Sequence, residues 1–200
     1  MSNPYVGWRY DYGNSLFDRT NIFFVNFVYD IPVFRNSDNR ALKTIVGGWQ
    51  ISGIVQAASG APMNITTTGG NTVCNVVPNC TNRPDVIGPI NYPHTVNQWF
   101  STSSFAAPAV GTWGNLGNNA IRGPGRDNWN MSFFKTFLIS EKRGSQFQFR
   151  ADFFNIWNHT QFRGSVQTGG IGTTLGGSNF GVITAAYDPR TIQLGAKLVF

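Results

Sequence analysis

The closing residues, Pro189-Arg190-Thr191-Ile192-Gln193-Leu194-Gly195-Ala196-Lys197-Leu198-Val199-Phe200, alternate with a period of two. Ile192, Leu194, Ala196, Leu198 and Phe200 fall on one side. Thr191, Gln193, Gly195 and Lys197 fall on the other, with Val199 the exception. A β-strand sends successive side chains to opposite faces, so this segment is a strand with one apolar and one polar face. A closing strand that stops on an aromatic suits a transmembrane barrel, where aromatic residues form girdles at the membrane interfaces.

The pattern recurs four times upstream. Between Thr20 and Ile31 the apolar side holds Phe23, Val25, Phe27, Tyr29 and Ile31, and Pro32 ends the strand by removing a ladder donor. Trp49, Ile51, Val55 and Ala57 oppose Gln50, Ser52 and Gln56. Trp129, Met131, Phe133 and Phe137 oppose Asn128, Asn130, Ser132 and Thr136. The clearest case runs from Ser145 to Phe153, with Phe147, Phe149, Ala151 and Phe153 against Gln146, Gln148, Arg150 and Asp152. Four large apolar neighbours on one face need either a facing sheet or lipid. The expected fold class is therefore all-β, an antiparallel meander of about five long strands.

Composition favours lipid. Charged residues are 12% of the 200, about half the usual share in soluble domains, and aromatics reach 14% with 17 Phe. No apolar run approaches the ~20 residues of a membrane helix, so any crossing is made by strands. The net charge of +6 comes from 15 basic residues scattered from Arg9 to Lys197. Nucleic-acid surfaces cluster such charges, so nucleic acid is not expected as a partner.

The joins fit the same class. Pro32 to Lys43 and Ile139 to Gly144 are short, whereas 61–126 and 158–187 are long and rich in Gly, Asn, Thr and Pro. Outer-membrane barrels alternate short periplasmic turns with long extracellular loops. With Phe200 at the periplasmic side, counting back through five strands puts the long joins outside and both short joins inside. Five strands cannot close in lipid, because the edges would leave backbone groups unsatisfied; the remaining strands are expected from upstream sequence. Met1 to Arg9 carries no signal-peptide pattern, which makes the chain read as a carboxyl-terminal fragment. All of 1–200 is then one carboxyl-terminal part of an outer-membrane barrel domain.

Sites of chemistry are sparse. Cys74 and Cys80 are the only cysteines, and their short spacer with Pro78 and polar flanks suits a loop disulfide in an oxidising compartment. Two thiols without further Cys or His do not make a zinc site, so no metal is expected. No Gly-x-Ser-x-Gly elbow or His-Glu-x-x-His helix occurs, and the glycine-rich run 168–177 lacks the Lys-Ser/Thr of a phosphate loop. That run reads as a flexible external loop. No catalytic residue, cofactor or enzymatic activity is expected. Arg150 and Asp152 read either as an ion pair facing a plug or neighbouring strand, or as cargo contacts.

Several short stretches occur in order along the chain: Tyr29-Asp30-Ile31-Pro32, Gly47-Gly48-Trp49-Gln50-Ile51-Ser52-Gly53, Ser59-Gly60-Ala61-Pro62, Arg122-Gly123-Pro124-Gly125, Phe153-Phe154-Asn155-Ile156-Trp157-Asn158-His159 and Asp188-Pro189-Arg190. With the closing strand, they make the chain resemble the end of a TonB-dependent outer-membrane receptor of the Oar-like group, common in proteins with a carboxypeptidase-regulatory-like domain at the front. The resemblance implies a 22-stranded barrel with an amino-terminal plug, energised across the periplasm by TonB. It implies as partners the upstream strands and plug, the TonB complex, the barrel-assembly machinery and outer-membrane lipid. It also implies a bacterial outer-membrane location, and an assembly signal in the last strand carried by Leu194, Ala196, Leu198 and Phe200. The plug and the TonB-contacting segment are missing from these 200 residues.

Two readings stand at this point. One is a non-catalytic wall segment of a transporter, with Gln148, Arg150, Asp152, Asn130 and Gln193 facing the lumen and Phe147, Phe149, Phe153, Trp129, Phe133 and Leu194 facing lipid. The alternative is a secreted β-sandwich, an adhesin or carbohydrate-binding module whose aromatics stack on sugars; sequons at Asn64, Asn79, Asn130 and Asn158 lean that way.

Overall fold

The computed structural model describes residues 7–33, 38–67, 82–140, 144–164 and 169–200. Five long strands form one sheet: β1 (Ile22–Asp30), β2 (Trp49–Ala58), β3 (Arg126–Ser140), β4 (Ser145–Phe154) and β5 (Thr191–Val199). Their order in space is their order along the chain. β3 pairs antiparallel with β4, and β4 with β5. Bonds from Ile31 to Trp49 and from Ser59 to Asn21 fix β1 antiparallel to β2. The strands have nine to fifteen residues, and a tilted strand needs ~9–11 to cross a bilayer. No helix among the described residues is long and apolar enough to cross a membrane. Among the described residues the other sheets have two strands each, too small to be the second layer that a β-sandwich needs.

Two compact units divide the chain. One holds the sheet, over Ile22–Ala57, Asp127–Thr160 and Asp188–Phe200; the other takes Met1–Asn21, Ala58–Arg126 and Gln161–Tyr187.

Register decides the faces of the sheet. Phe147, Phe149, Ala151 and Phe153 lie opposite Leu198, Ala196, Leu194 and Ile192 of β5. Across β3 the same residues meet Phe137, Lys135, Phe133 and Met131. The rings of Phe133 and Phe153 pack edge to face at 5.5 Å, and Trp49 meets Phe149 at 6.5 Å. The first is a diagonal cross-strand pair of the kind that stabilises a sheet face; the second reaches across β3, over Lys135. At Gly53 a Cβ would lie 2.7 Å from ring carbons of Phe27. The glycine thus leaves the space that the neighbouring aromatic fills.

The alternation is broken at three places in β3. Phe134 lies opposite Arg150 and Leu138 opposite Gln146 on the polar side, while Lys135 stands in the apolar row opposite Phe149. The join after β1 holds a short helix, Arg40–Ile45, absent from the expected polar loop. The Asn39 side chain caps it by accepting from the N–H groups of Ala41 and Leu42 at 3.0 and 3.3 Å.

The two long joins share a core of their own within the second unit. Met63, Ile65, Phe100, Phe105, Leu116, Ile121, Ile171 and Ile183 form one buried core. Phe100, Phe105 and Phe180 pack edge to face with centroids 5.3–6.0 Å apart. Asparagine amides replace regular ladders around it. Asn119 donates to Asn14 O at 2.6 Å, Asn118 to Asp11 O at 3.1 Å, and Asn64 to Asn118 Oδ1 at 2.9 Å. Arg83 is buried on the Tyr10 ring, 3.8 Å from its centroid, and donates to Tyr10 O. The glycine-rich run is likewise ordered from Gly169 onward: Ile171 bridges Ile183, Gly172 bridges Phe180, and Gly170, Ile171 and Thr173 are buried. Pro62–Met63 pairs antiparallel with Ile121–Arg122, and Thr66–Thr67 pairs parallel with Thr174–Leu175, each as a separate two-stranded sheet.

Candidate functional site: the polar face of the sheet

Gln148, Arg150 and Asp152 leave β4 on the side opposite its phenylalanines. Register sets Gln193 and Ser132 on either side of Asp152, and Lys197 and Thr136 on either side of Gln148. Asn130 belongs to the same side, two residues before Ser132. All five residues expected to face a lumen therefore share one face.

Their polar groups are tied together. Asp152 accepts from the Ser132 hydroxyl and, at 2.8 Å, from Arg150 Nε. The Arg150 side chain is 60% exposed and that of Asp152 15%, so the carboxylate is held while much of the guanidinium stays accessible. Asn130 Oδ1 accepts from Asn155 N at 3.0 Å and from Asn128 Nδ2 at 3.2 Å. Beside these lies a depression of about 500 Å³ whose polar lining is Asn26, Ser52, Asn130, Ser132, Arg150 and Asp152. Amides, hydroxyls and one ion pair hydrate well and can exchange hydrogen bonds with water or a polar solute. Among the described residues no three His, Cys, Asp or Glu side chains gather as metal ligands.

The recurring short motifs meet in pairs where hairpins close. Gln50 Nε2 of the Gly-Gly-Trp-Gln stretch donates to Asp30 Oδ1 at 2.8 Å, and Ile31 N to Trp49 O at 2.8 Å. Gly123 N donates to Ala61 O, and a Cβ on Gly60 would lie 1.8 Å from Gly123 O, so the second pair needs glycine for backbone to touch backbone. Asn155 has φ 54° and bonds both the N–H and the carbonyl of His159, at 3.1 and 2.9 Å. Asn158 Oδ1 then accepts from Arg190 N at 3.0 Å, joining the end of β4 to the start of β5.

Lys135 was passed over in the sequence. It is 1% exposed, and its Nζ donates to Ile45 O at 3.0 Å and to Gly47 O, at the end of the short helix. The rings of Trp49 and Phe137 lie 5.3 and 4.9 Å from the same nitrogen. A cation suits the unsatisfied carbonyls of a helix terminus. The only sequence signal is a lysine standing on the apolar row of its strand.

Leu194, Ala196 and Leu198 lie on the apolar face of β5, and Phe200, 94% exposed, follows its last paired residue. Cys74 and Cys80 lie outside the described residues.

A family model described as an outer membrane beta barrel domain matches residues 1–193. The chain belongs to that family. The two-faced meander is accordingly wall of an outer-membrane β-barrel, and its place is the bacterial outer membrane. No curated protein and no solved structure matches the chain.

Proposed function

We propose that this barrel wall belongs to a TonB-dependent transporter of the Oar-like group and lines the passage for its substrate without taking part in any reaction. One observation carries the reading: register gathers Gln148, Arg150, Asp152, Asn130 and Gln193 on one face and the phenylalanines on the other. A porous barrel needs that division, polar inside and apolar against lipid. The ordered set of short motifs supports the finer assignment, since each sits where it closes a hairpin. Among the described residues β1 and β5 each have one neighbour in the sheet; on this reading upstream strands complete the wall, and the plug that the resemblance implies occupies the lumen. On this reading the TonB complex acts through an amino-terminal part of the receptor, and the barrel-assembly machinery reads β5 and Phe200. The test is uptake of a radiolabelled solute pool by cells with the intact receptor gene, with and without tonB. Loss of receptor-dependent uptake in the tonB strain is expected; undiminished uptake would rule out energised transport.

A further inference from the structure

Arg126, at the start of β3, converges with Arg163 and Tyr187 within one compact unit. The backbone brings them there: Tyr187 N donates to Gln161 O at 2.8 Å, Arg163 N to Ala185 O at 3.0 Å, and Phe162 bridges Ala186. The guanidinium carbon of Arg126 lies 4.6 Å from the Tyr187 ring centroid and that of Arg163 lies 5.1 Å from it. One aromatic ring thus carries two cations. Its quadrupole attracts each but supplies no counter-charge to their mutual repulsion.

Among the described residues no carboxylate is recorded in an ion pair with either. The ion pairs among the described residues join Arg83 to Asp11, Arg122 to Asp18 and Arg150 to Asp152, and none takes up Arg126 or Arg163. The Nε–H groups of both are buried with no acceptor. Arg83 Nε is in the same condition, but Arg83 also bonds Tyr10 O and pairs with Asp11. Buried donors without acceptors are rare in folded proteins, and an unplaced ion is one of the few physical accounts of them. Two such donors, on two cations that share one aromatic ring, are what a bound anion would satisfy.

We propose that Arg126 and Arg163 form a binding site for a phosphate group, with Tyr187 as the platform that holds the two guanidinium groups together. Guanidinium is a planar fork whose N–H groups match the spacing of phosphate oxygens. Two positive charges suit the nearly dianionic charge of a phosphate monoester better than the single charge of a carboxylate. The same group is presented by a soluble phosphorylated solute and by a phosphorylated lipid headgroup.

The experiment titrates inorganic phosphate into the full-length protein in detergent by calorimetry, with acetate at equal ionic strength as the carboxylate control. Saturable phosphate binding is expected, weakened roughly tenfold or more in R126Q and in R163Q. R126K and R163K keep the charge but lose the fork, and should also weaken binding while preserving the fold. Heat-modifiable migration on gels confirms that each variant is folded. In a second arm the protein floats with phosphatidylcholine vesicles with or without phosphatidic acid. Arginine-dependent preference for phosphatidic acid identifies the lipid as the source, and its absence beside saturable phosphate binding identifies a soluble one. No saturable phosphate binding, equal affinity in native protein and the R126Q/R163Q double variant, or equal binding of acetate would overturn the site.

Discussion

Two single residues carry more of this structure than their types suggest. Lys135 joins β3 to the helix before β2 by donating to the carbonyls of Ile45 and Gly47. Replacing it with Met keeps much of the packing and leaves two carbonyls without their donor. The expected loss is about 1–3 kcal/mol, read as a lower denaturant midpoint in detergent; an unchanged midpoint would mean the clamp is idle. Asn155 combines a left-handed backbone with three hydrogen bonds, to Asn130 and to both backbone groups of His159. Asn155→Ala should cost roughly 2–4 kcal/mol from the strained φ and the lost bonds. Asn155→Gly should cost less, because glycine accepts the φ. Equal losses in both would assign the whole effect to the bonds.

At the scale of strands, the sequence was readable wherever chemistry alternated. In β4 every second residue from Phe147 to Phe153 is apolar, the period of a strand with one apolar and one polar face, and the strand bounds followed. Phe134 and Leu138 break the alternation with no reason the structure supplies, and Lys135 stayed illegible because its partners are carbonyls about ninety residues away in sequence. The ordered second unit was illegible for a related reason. Phe100, Ile121, Ile171 and Ile183 are spaced without period, and its cohesion runs through bonds such as Asn119 to Asn14, separated by 105 residues. Gly53 shows how local composition and cross-strand packing meet. Gly53→Val drives a side chain into the Phe27 ring and should destabilise by about 1–3 kcal/mol. Adding Phe27→Ala opens the space, so the double variant should lose less than the sum of the singles. Strict additivity in unfolding measurements would show that the two residues do not touch.

For the whole molecule, the sheet has β1 and β5 as its outer strands, and their free backbone edges must pair in the bilayer. Deleting Phe200 from the complete protein, or adding a charged tail after it, should lower outer-membrane abundance and leave more chain to periplasmic proteases, as quantified on membrane fractions. Normal abundance of the deletion variant would remove Phe200 from assembly. The central claim is that the Gln148 face meets an aqueous lumen and the Phe149 face meets lipid. Single cysteines at Gln146, Phe147, Gln148, Phe149, Arg150, Ala151, Asp152 and Phe153, placed one at a time in the complete protein in intact outer membrane, test it most directly. A water-soluble maleimide should label the even positions and a lipid-confined one the odd positions. The opposite alternation, or the same labelling at all eight, would contradict the account.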